Sequence, residues 1–331
     1  MRVRSTVLTG LTCLSLAACT AGAGPGPAPA PVVSTEPAEQ FYVDPSGAAE
    51  AQVRSWNAQG RAADATAVRR IADQPAAVWF ADADPGFAGR ARDLVTAAAA
   101  AGRTPVLVAY YVPQRDCGGH SGGGAPDAAA YRDWIGQLAG AVHDSPALVV
   151  LEPDAVTHIL QGCLSPEAAG ERFALLGEAI HAFRADPGVR VYLDAGNPGW
   201  VKDVDRVVDA LRSAGIADAD GFSLNVANFE TTQANLDYGT SISDRLGGTH
   251  FVIDTSRNGN GPATTATSGD GHWCNPPGRA LGPAPTTRTG HDRVDAYLWV
   301  KRPGESDGAC GDGAPPAGQW WPEYALSLAT N

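Results

Sequence analysis

The apolar residues of this 331-residue chain are concentrated in seven short runs that are separated by longer segments of mixed polarity. Most runs are rich in β-branched or aromatic side chains, which favour strands. They are continuous rather than alternating, which is typical of strands buried on both faces of a parallel sheet. The predicted strands are residues 77–80, 106–112, 148–151, 189–193, 222–226, 251–253 and 297–300.

Helices are predicted between these runs. Asp127 is a candidate N-cap of the third helix, and Ser165-Pro166 are candidates for the N-cap and first residue of the fourth. Repeated β–α alternation over about 260 residues predicts an α/β protein with a parallel sheet. The predicted helices are residues 49–71, 88–101, 128–142, 167–184 and 203–214.

Polar or charged side chains follow every predicted strand at its carboxyl end. An open doubly wound sheet concentrates its chemistry at one switch point, whereas a β/α barrel collects it from every strand on one rim. We therefore predict a barrel of about seven parallel strands. No glycine-rich phosphate loop opens the first helix, so a dinucleotide-binding fold is not supported. The residues at the strand exits are Asp82, Arg115, Asp116, Asp154, Asp194, Asn225, Asn228, Asp254, Arg257, Lys301, Glu305 and Asp307.

The first 18 residues are typical of an export signal. Arg2 and Arg4 precede an apolar stretch, Val7 to Ala18, that is too short to span a bilayer as a mature helix. The stretch ends in Leu-Ala-Ala before Cys19, which is similar to a bacterial lipobox. We predict a signal peptide at 1–18 and lipidation at Cys19. An ordinary cleaved signal with a chance cysteine is the alternative.

The next segment, residues 19–40, is rich in Ala, Pro and Gly and is expected to be a flexible tether. Residues 41–331 are then the predicted catalytic domain. The whole chain has 24 basic and 36 acidic residues, a net charge of −12. Such a balance argues against nucleic acid as a partner and against adsorption to anionic lipid by charge alone. The membrane is therefore expected to be a partner only through a lipid anchor, on an exported protein.

Four cysteines remain outside the leader, and export favours their oxidation. They are Cys117, Cys163, Cys274 and Cys310, and none forms a C-x-x-C motif, so a zinc site is not expected. Four cysteines allow three pairings. The pairs Cys117–Cys163 and Cys274–Cys310 close the shortest loops.

Several motifs occur in one order along the chain, and together they resemble glycoside hydrolase family 6, the inverting cellulases. The resemblance spans roughly residues 41–331. It implies a distorted, partly open β/α barrel and a β-glucan polysaccharide as substrate. No cofactor and no metal are expected, and we expect a monomer. The motifs are Tyr110–Cys117, Leu151–Asp154, Tyr192–Gly196, Asp254–Gly259, Trp273–Asn275, Leu298–Lys301 and Gly304–Gly308.

Inverting glycoside hydrolysis needs one carboxylic acid to protonate the leaving oxygen and a second carboxylate to activate water. The acid must keep its proton near neutral pH, so burial or a neighbouring negative charge must raise its pKa. Asp116, Asp154, Asp194 and Asp307 are candidates because each follows a strand. The alternative is that some of them form rim salt bridges with Arg115, Arg257 or Lys301.

The resemblance distributes roles among these four residues. It implies that Asp154 is the general acid and that Asp116 raises the pKa of Asp154 and helps to position the water. Asp307 matches the position proposed as the base. Asp194 would hold the site together and stabilise developing positive charge.

Aromatic residues provide a second signature, because the C–H face of a pyranose packs on an indole ring. The resemblance implies that three tryptophans line sugar subsites and that Tyr110 lies under the sugar at the cleavage point. Trp56, Trp134, Trp320 and Trp321 are expected to pack in the core instead. The implied substrate-binding residues are Trp79, Tyr110, Asp194, Trp200, Asn228, Trp273, Lys301 and Glu305.

The chain departs from the family pattern at Asn197, where His is frequent, and at Ala227, where Ser is usual. Another pattern, Gly119–Gly123, fits the G-x-S-x-G elbow of serine hydrolases. That elbow requires a strand directly before the serine and a helix directly after it, and neither is predicted here. The resemblance treats this segment as a glycine loop over the cleavage point.

An open active-site cleft, and hence endo-acting cleavage, is expected. Members of the family that act from chain ends enclose the sugar chain with long insertions, whereas only 23 residues follow Gly308 and residues 229–250 are compact. The alternatives are a cellobiohydrolase of the same family and a lipid-anchored glucan-binding protein with weak catalysis. Asn197 and Ala227 are the support for the last of these.

Overall fold

The structure is a computed structural model that describes residues 1–2, 41–264, 272–311 and 313–331. The predicted tether and Cys19 lie outside the described residues, as does the predicted signal peptide beyond Arg2. Among the described residues, no helix combines the length and the apolar character that a membrane span requires.

Seven parallel strands pair in sequence order within the described ranges. The first and last strands are the edges of this order, and Ala76 and Trp299 join them through one isolated parallel bridge. The sheet is therefore curled into a partly open barrel, which confirms the predicted fold. The strands are β1 Val78–Phe80, β2 Val106–Ala109, β3 Ala147–Leu151, β4 Val189–Asp194, β5 Gly221–Leu224, β6 His250–Asp254 and β7 Val294–Leu298.

Most of the predicted helices are present with nearly the predicted bounds. Asp127 and Ser165 cap α4 and α6, accepting hydrogen bonds from the backbone nitrogens of Ala130 and Ala168. The helices formed by the described residues are α1 Ala48–Ala58, α2 Ala62–Ala72, α3 Phe87–Ala100, α4 Ala128–Val142, α5 Ala155–Gln161, α6 Pro166–Arg184, α7 Val204–Ser213, α8 Thr232–Arg245 and α9 Pro322–Thr330.

The prediction of one helix over 49–71 is wrong, because the chain forms α1 and α2 there. Gly60 lies between them with φ of 76°, a left-handed conformation that ends a helix and that glycine adopts without strain. The helices α5, α8 and α9 were not predicted. Helix α8 is largely polar, and Thr231 caps it by accepting from the backbone nitrogen of Ala234.

The last strand, predicted at 297–300, lies earlier in the chain: β7 spans Val294–Leu298 and begins three residues before the predicted start. Asp295 interrupts the apolar pattern there, but its carboxylate accepts a hydrogen bond from the Tyr192 hydroxyl at 2.6 Å. A polar residue that has a partner on another strand need not end a strand.

Two apolar layers position the rim of the barrel. In the barrel interior, alternate strand residues such as Val108, Val150 and Leu298 pack with Tyr110. On the outer side of the barrel, the opposite faces of the strands pack on the helices. Of the tryptophans assigned to the core, Trp56 and Trp134 are buried. The other two are half-buried: Trp320 packs beside α1, α2 and α9, and Trp321 stacks on Tyr324.

Candidate active site

Asp154 lies in the turn that joins β3 to α5. Glu152 and Asp154 have φ of 47° and 68°, conformations that cost of order 1–3 kcal/mol each for residues other than glycine. Surrounding contacts hold this turn: the backbone nitrogen of Asp154 donates to Oδ2 of Asp194 at 2.9 Å. The Asp154 side chain is therefore held at the carboxyl end of the barrel.

Asp194 is buried at the end of β4 and links β5 to the turn after β3. Its carboxylate also accepts hydrogen bonds from the Ser223 hydroxyl at 3.1 Å and from the backbone nitrogen of Gly196 at 3.2 Å. Burial raises the pKa of Asp194 to about 6, although these hydrogen bonds oppose the shift. These hydrogen bonds hold the Asp194 side chain in one position within the rim.

The environment of Asp154 favours its protonated form. Burial raises the pKa of its carboxyl well above the ordinary value, and the negative charges of Asp194 and Asp116 raise it further. We call Asp116, Asp154 and Asp194 the carboxylate cluster. A carboxylic acid in such a cluster keeps a proton that it can donate.

Asp116 begins a short 3₁₀ turn, Asp116–Gly118, after β2. Asp116 and Cys117 have φ of 54° and 47°, and Oδ2 of Asp116 accepts from the backbone nitrogen of Ser121 at 2.7 Å. The disulfide Cys117–Cys163 joins this turn to the residues after α5. The second bridge, Cys274–Cys310, is also present, so both pairs of the shortest-loop pairing are formed.

Asp307 lies in a contrasting environment. Its carboxylate pairs with Arg257 Nη1 at 2.8 Å and with Lys301 Nζ at 3.3 Å, and it accepts from the backbone nitrogen of Asn275 at 3.0 Å. Burial opposes ionisation, but the two cations and these hydrogen bonds lower the pKa of Asp307 below its usual value. We call Arg257, Lys301 and Asp307 the ion-pair cluster. The rim salt bridge considered for Asp307 is thus present.

Aromatic rings lie beside the carboxylate cluster. Trp79 and Tyr110 meet edge to face with centroids 5.3 Å apart, and the Arg115 guanidinium lies 4.7 Å from the centre of the Tyr110 ring. Burial raises the pKa of Tyr110, and the negative charges of Asp154 and Asp116 raise it further.

The other two predicted platforms lie on different loops. Trp200 is half-buried and packs edge to face on His158 at 5.2 Å. Trp273 is 42% exposed, and its ring lies 5.9 Å from that of His120. The His120 ring also packs against Gly308, so the glycine loop after β2 meets the segment after β7.

The remaining three predicted substrate-binding residues have different surroundings. Lys301 is buried, and its Nζ donates to the backbone oxygen of Ser306 at 2.9 Å in addition to pairing with Asp307. The Glu305 carboxylate pairs with Arg302 at 2.9 Å. Asn228 is half-buried after β5, and its backbone nitrogen donates to the oxygen of Asn225.

Three buried residues of the rim are not among the predicted catalytic or substrate-binding residues. Glu152 accepts from the backbone nitrogens of Tyr111 and Val112, and burial raises its pKa to about 7. Asp254 accepts from the backbone nitrogens of Ala227 and Lys301, at 2.9 Å each. The third is His158. Their positions could have indicated them: Glu152 and Asp254 lie at strand exits, and His158 lies one helical turn beyond Asp154.

The G-x-S-x-G segment has no elbow geometry. Ser121 follows the 3₁₀ turn rather than a strand, and the next helix begins at Ala128. A different group with metal-ligand character, His143, Asp144 and Asp186, lies before β3 and β4 at the opposite end of the strands. Asp186 already accepts hydrogen bonds from the backbone nitrogens of Asp144 and Gly188.

Known proteins share this arrangement of strands and motifs. The profile of Glycosyl hydrolases family 6 matches residues 36–331. Endoglucanase A of Cellulomonas fimi is 44% identical over 299 residues, 89% of this chain, although the chain spans only 62% of that relative's length. Endoglucanase 1 of Streptomyces halstedii is 42% identical over 296 residues, covering 87% of this chain and 88% of the relative.

A solved structure gives the same result. The endoglucanase Cel6 of Mycobacterium tuberculosis, determined in complex with methyl-cellobiosyl-4-deoxy-4-thio-β-D-cellobioside, superposes with a TM-score of 0.81 at 44% identity. The match covers 88% of this chain and 96% of that one. The chain therefore belongs to glycosyl hydrolases family 6.

Proposed function

We propose that this protein hydrolyses internal β-1,4-glucosidic bonds of cellulose or a related β-glucan with inversion at the anomeric carbon. The observation that carries the proposal is the contrast between two carboxyl groups on one rim. The pKa of Asp154 is raised and that of Asp307 is lowered. Environments that separate two pKa values in this way are suited to a proton donor and an ionised partner.

In the proposed mechanism Asp154 donates its proton to the leaving glycosidic oxygen. Asp116 contributes a negative charge that keeps Asp154 protonated, and it helps to orient the water that attacks the opposite face of the sugar. Asp307, held ionised by Arg257 and Lys301, is the base position. Inverting enzymes separate the acid and the base by about 6.5–9.5 Å so that water fits between the sugar and the base.

Asp194 contributes by position rather than by proton transfer. It fixes the backbone of Asp154, and its carboxylate adds negative charge where positive charge develops on the sugar. The rings of Trp79, Trp200 and Trp273 are the proposed sugar platforms, with Tyr110 under the sugar that is cleaved. Asn228, Lys301 and Glu305 are proposed to bind sugar hydroxyls.

An open cleft that cuts within chains is favoured over a cellobiohydrolase. The segment between β5 and β6 is mostly helix α8, which leaves little loop to cover the cleft. An endo-acting enzyme lowers the viscosity of carboxymethylcellulose early, before many reducing ends appear. A rise in reducing ends with little loss of viscosity would support the cellobiohydrolase instead.

A glucan-binding protein without catalysis is the second candidate. Asn197 and Ala227 favoured it, yet both have structural roles: Oδ1 of Asn197 accepts from the backbone nitrogens of Gly199 and Trp200, and the backbone of Ala227 bonds Asp254 and Arg257. Release of reducing sugar from carboxymethylcellulose separates the two candidates. Tight binding without any release would support the binding protein.

The stereochemical outcome is the sharpest test of the mechanism. Inversion of a β-linkage must give the α-anomer as the first product. Proton NMR during the first minutes of cello-oligosaccharide hydrolysis distinguishes the anomers before they equilibrate. A β-anomer that appears first would require a retaining mechanism and would overturn the proposal.

Export, the lipid anchor, the 41–331 catalytic domain and a monomeric state belong to the same proposal. The support is the lipobox-like sequence at Cys19 and the Ala/Pro/Gly-rich residues that follow it. Mass spectrometry of the mature N-terminus is expected to find a diacylglyceryl adduct on Cys19. Cleavage elsewhere would remove the anchor from the proposal. Light scattering of residues 41–331 tests the domain boundary and the monomer together.

A further inference from the structure

His158 lies between two parts of the proposed active site. It sits one turn into α5, four residues after Asp154, and only 6% of it is exposed. Its Nε2 atom is 3.8 Å from Oδ1 of Asp116. Its ring meets the Trp200 ring edge to face, with centroids 5.2 Å apart and an interplanar angle of 74°. One buried imidazole thus contacts both a catalytic carboxylate and a sugar platform.

The backbone of His158 is held in place by the same region. Its carbonyl oxygen accepts from the backbone nitrogen of Cys163 at 3.4 Å, and Cys163 is bonded to Cys117, the neighbour of Asp116. The imidazole and the Asp116 turn are therefore attached to each other through the disulfide as well as through the side chains. Neither can move far without disturbing the other.

We propose that His158 is a positioning residue that holds the Trp200 ring and the Asp116 carboxylate in a fixed relation to each other. The inference rests on the proposed function, because Asp116 and Trp200 have roles only in a glucan-cleaving site. His158 contacts no reacting atom in this scheme. It acts through its two neighbours.

The charge of the His158 imidazole determines how this ring acts on Asp116. Burial lowers the pKa of His158, Asp116 opposes this shift, and Arg172 adds to it, so the fold favours the uncharged form of the ring. An uncharged ring leaves the negative charge of Asp116 free to act on Asp154. As the pH falls, the ring gains a proton and becomes a cation beside Asp116. This ion pair neutralises the charge with which Asp116 acts on Asp154. Activity is therefore lost as the pH falls.

Two substitutions separate the two contacts. His158→Phe keeps a planar ring against Trp200 but removes the nitrogen that faces Asp116. His158→Gln keeps a polar group and removes the ring. An aromatic contact of this kind corresponds to about a 2- to 10-fold change in affinity. With cellohexaose as the probe, we expect His158→Gln to raise KM by that factor and His158→Phe to leave it within about 2-fold.

The pH profile of kcat provides the readout that a purely structural role would not move. His158→Phe is expected to shift the acid limb to lower pH and to leave the alkaline limb in place. A uniform loss of kcat at every pH in both variants would overturn the proposal. So would an unchanged KM in His158→Gln together with an unchanged acid limb in His158→Phe.

A measurement without catalysis distinguishes failure of this inference from failure of the proposed function. NMR titration follows the His158 imidazole in the full chain, with His158→Phe used to assign its signal. Asp116→Asn is expected to lower the titration midpoint, because the charge of Asp116 supports the protonated ring. An unchanged midpoint would overturn the contact even if the enzyme is active. A shifted midpoint in a protein that cleaves no glucan would instead support the contact and overturn the proposed function.

Discussion

The Oδ2 atom of Asp194 accepts a hydrogen bond from the backbone nitrogen of Asp154 at 2.9 Å, and this bond joins the exits of β3 and β4. The same carboxylate raises the pKa of the Asp154 side chain by its charge. One residue therefore both fixes the position of the proposed acid and adjusts its proton affinity.

Asp154→Asn keeps the size of the side chain but cannot deliver a proton. General acid catalysis contributes about 10²–10⁴-fold, so a loss of that order in kcat is expected on cellulose. Aryl glycosides with a strongly acidic phenol need little protonation and should be partly spared. Steady-state rates on both substrates test this. Asp82→Asn, at the exit of β1 where Asp82 pairs with Arg90, is the matched control and should stay near wild type. Equal losses on the two substrates would argue against an acid role for Asp154.

Asp116→Asn removes one of the negative charges that raise the pKa of Asp154. Burial and Asp194 remain, so the pKa of Asp154 should fall only in part. Since the alkaline limb of the rate profile follows loss of the acid's proton, that limb should move to lower pH. Rates measured between pH 4 and 9 give the midpoint. Asp127→Asn, which still caps α4, is the control. A limb that stays in place would show that Asp116 does not act on the acid.

Glu152 should make the protein less stable as the pH rises. Its pKa is about 7 in the folded state against an ordinary value of 4.5, so the folded state binds the proton more tightly. This contribution is fully present below about pH 4.5 and is lost as the pH rises through 7, a change of ~3 kcal/mol. Denaturant unfolding of wild type and Glu152→Gln at several pH values measures the difference.

The unfolding free energy of the wild type minus that of Glu152→Gln should therefore decrease from pH 5 to pH 8. Glu171→Gln, at an exposed position of α6, should show no such trend. A constant gap across this range would mean that Glu152 does not titrate in it.

The two disulfides should have similar effects on stability and different effects on catalysis. They close loops of 46 and 36 residues, so chain entropy alone separates them by only about 0.2 kcal/mol. Removing either is expected to lower the unfolding free energy by about 2–5 kcal/mol. Cys117 directly follows Asp116, so replacing Cys117 and Cys163 by Ser should also move the alkaline limb to lower pH. The pair Cys274–Cys310 serves as the control, and an equal shift in both variants would contradict this.

Much of the fold was predictable because its signals are local. Runs such as Leu148–Leu151 predict buried strands from side-chain type alone, and Asp127 and Ser165 cap helices through hydrogen bonds that span three residues. The same holds for the candidate carboxylates, because the position of a residue after a strand places it on the rim of a parallel barrel. Where local signals were weak or interrupted, as in polar α8 and at Asp295 in β7, the predictions missed or displaced the element.

The chemical states of the site were decided by contacts between residues far apart in the sequence. Arg257 and Asp307 are 50 residues apart and pair at 2.8 Å, whereas Asp154 lies among carboxylates. Nothing in the local sequence of either aspartate distinguishes these environments, because burial and charge neighbours exist only after the strands have assembled. Local sequence signals thus indicate which residues reach the rim. Contacts in the folded protein determine which carboxyl group keeps its proton and which stays ionised, since a pKa depends on desolvation and on charges within a few ångströms.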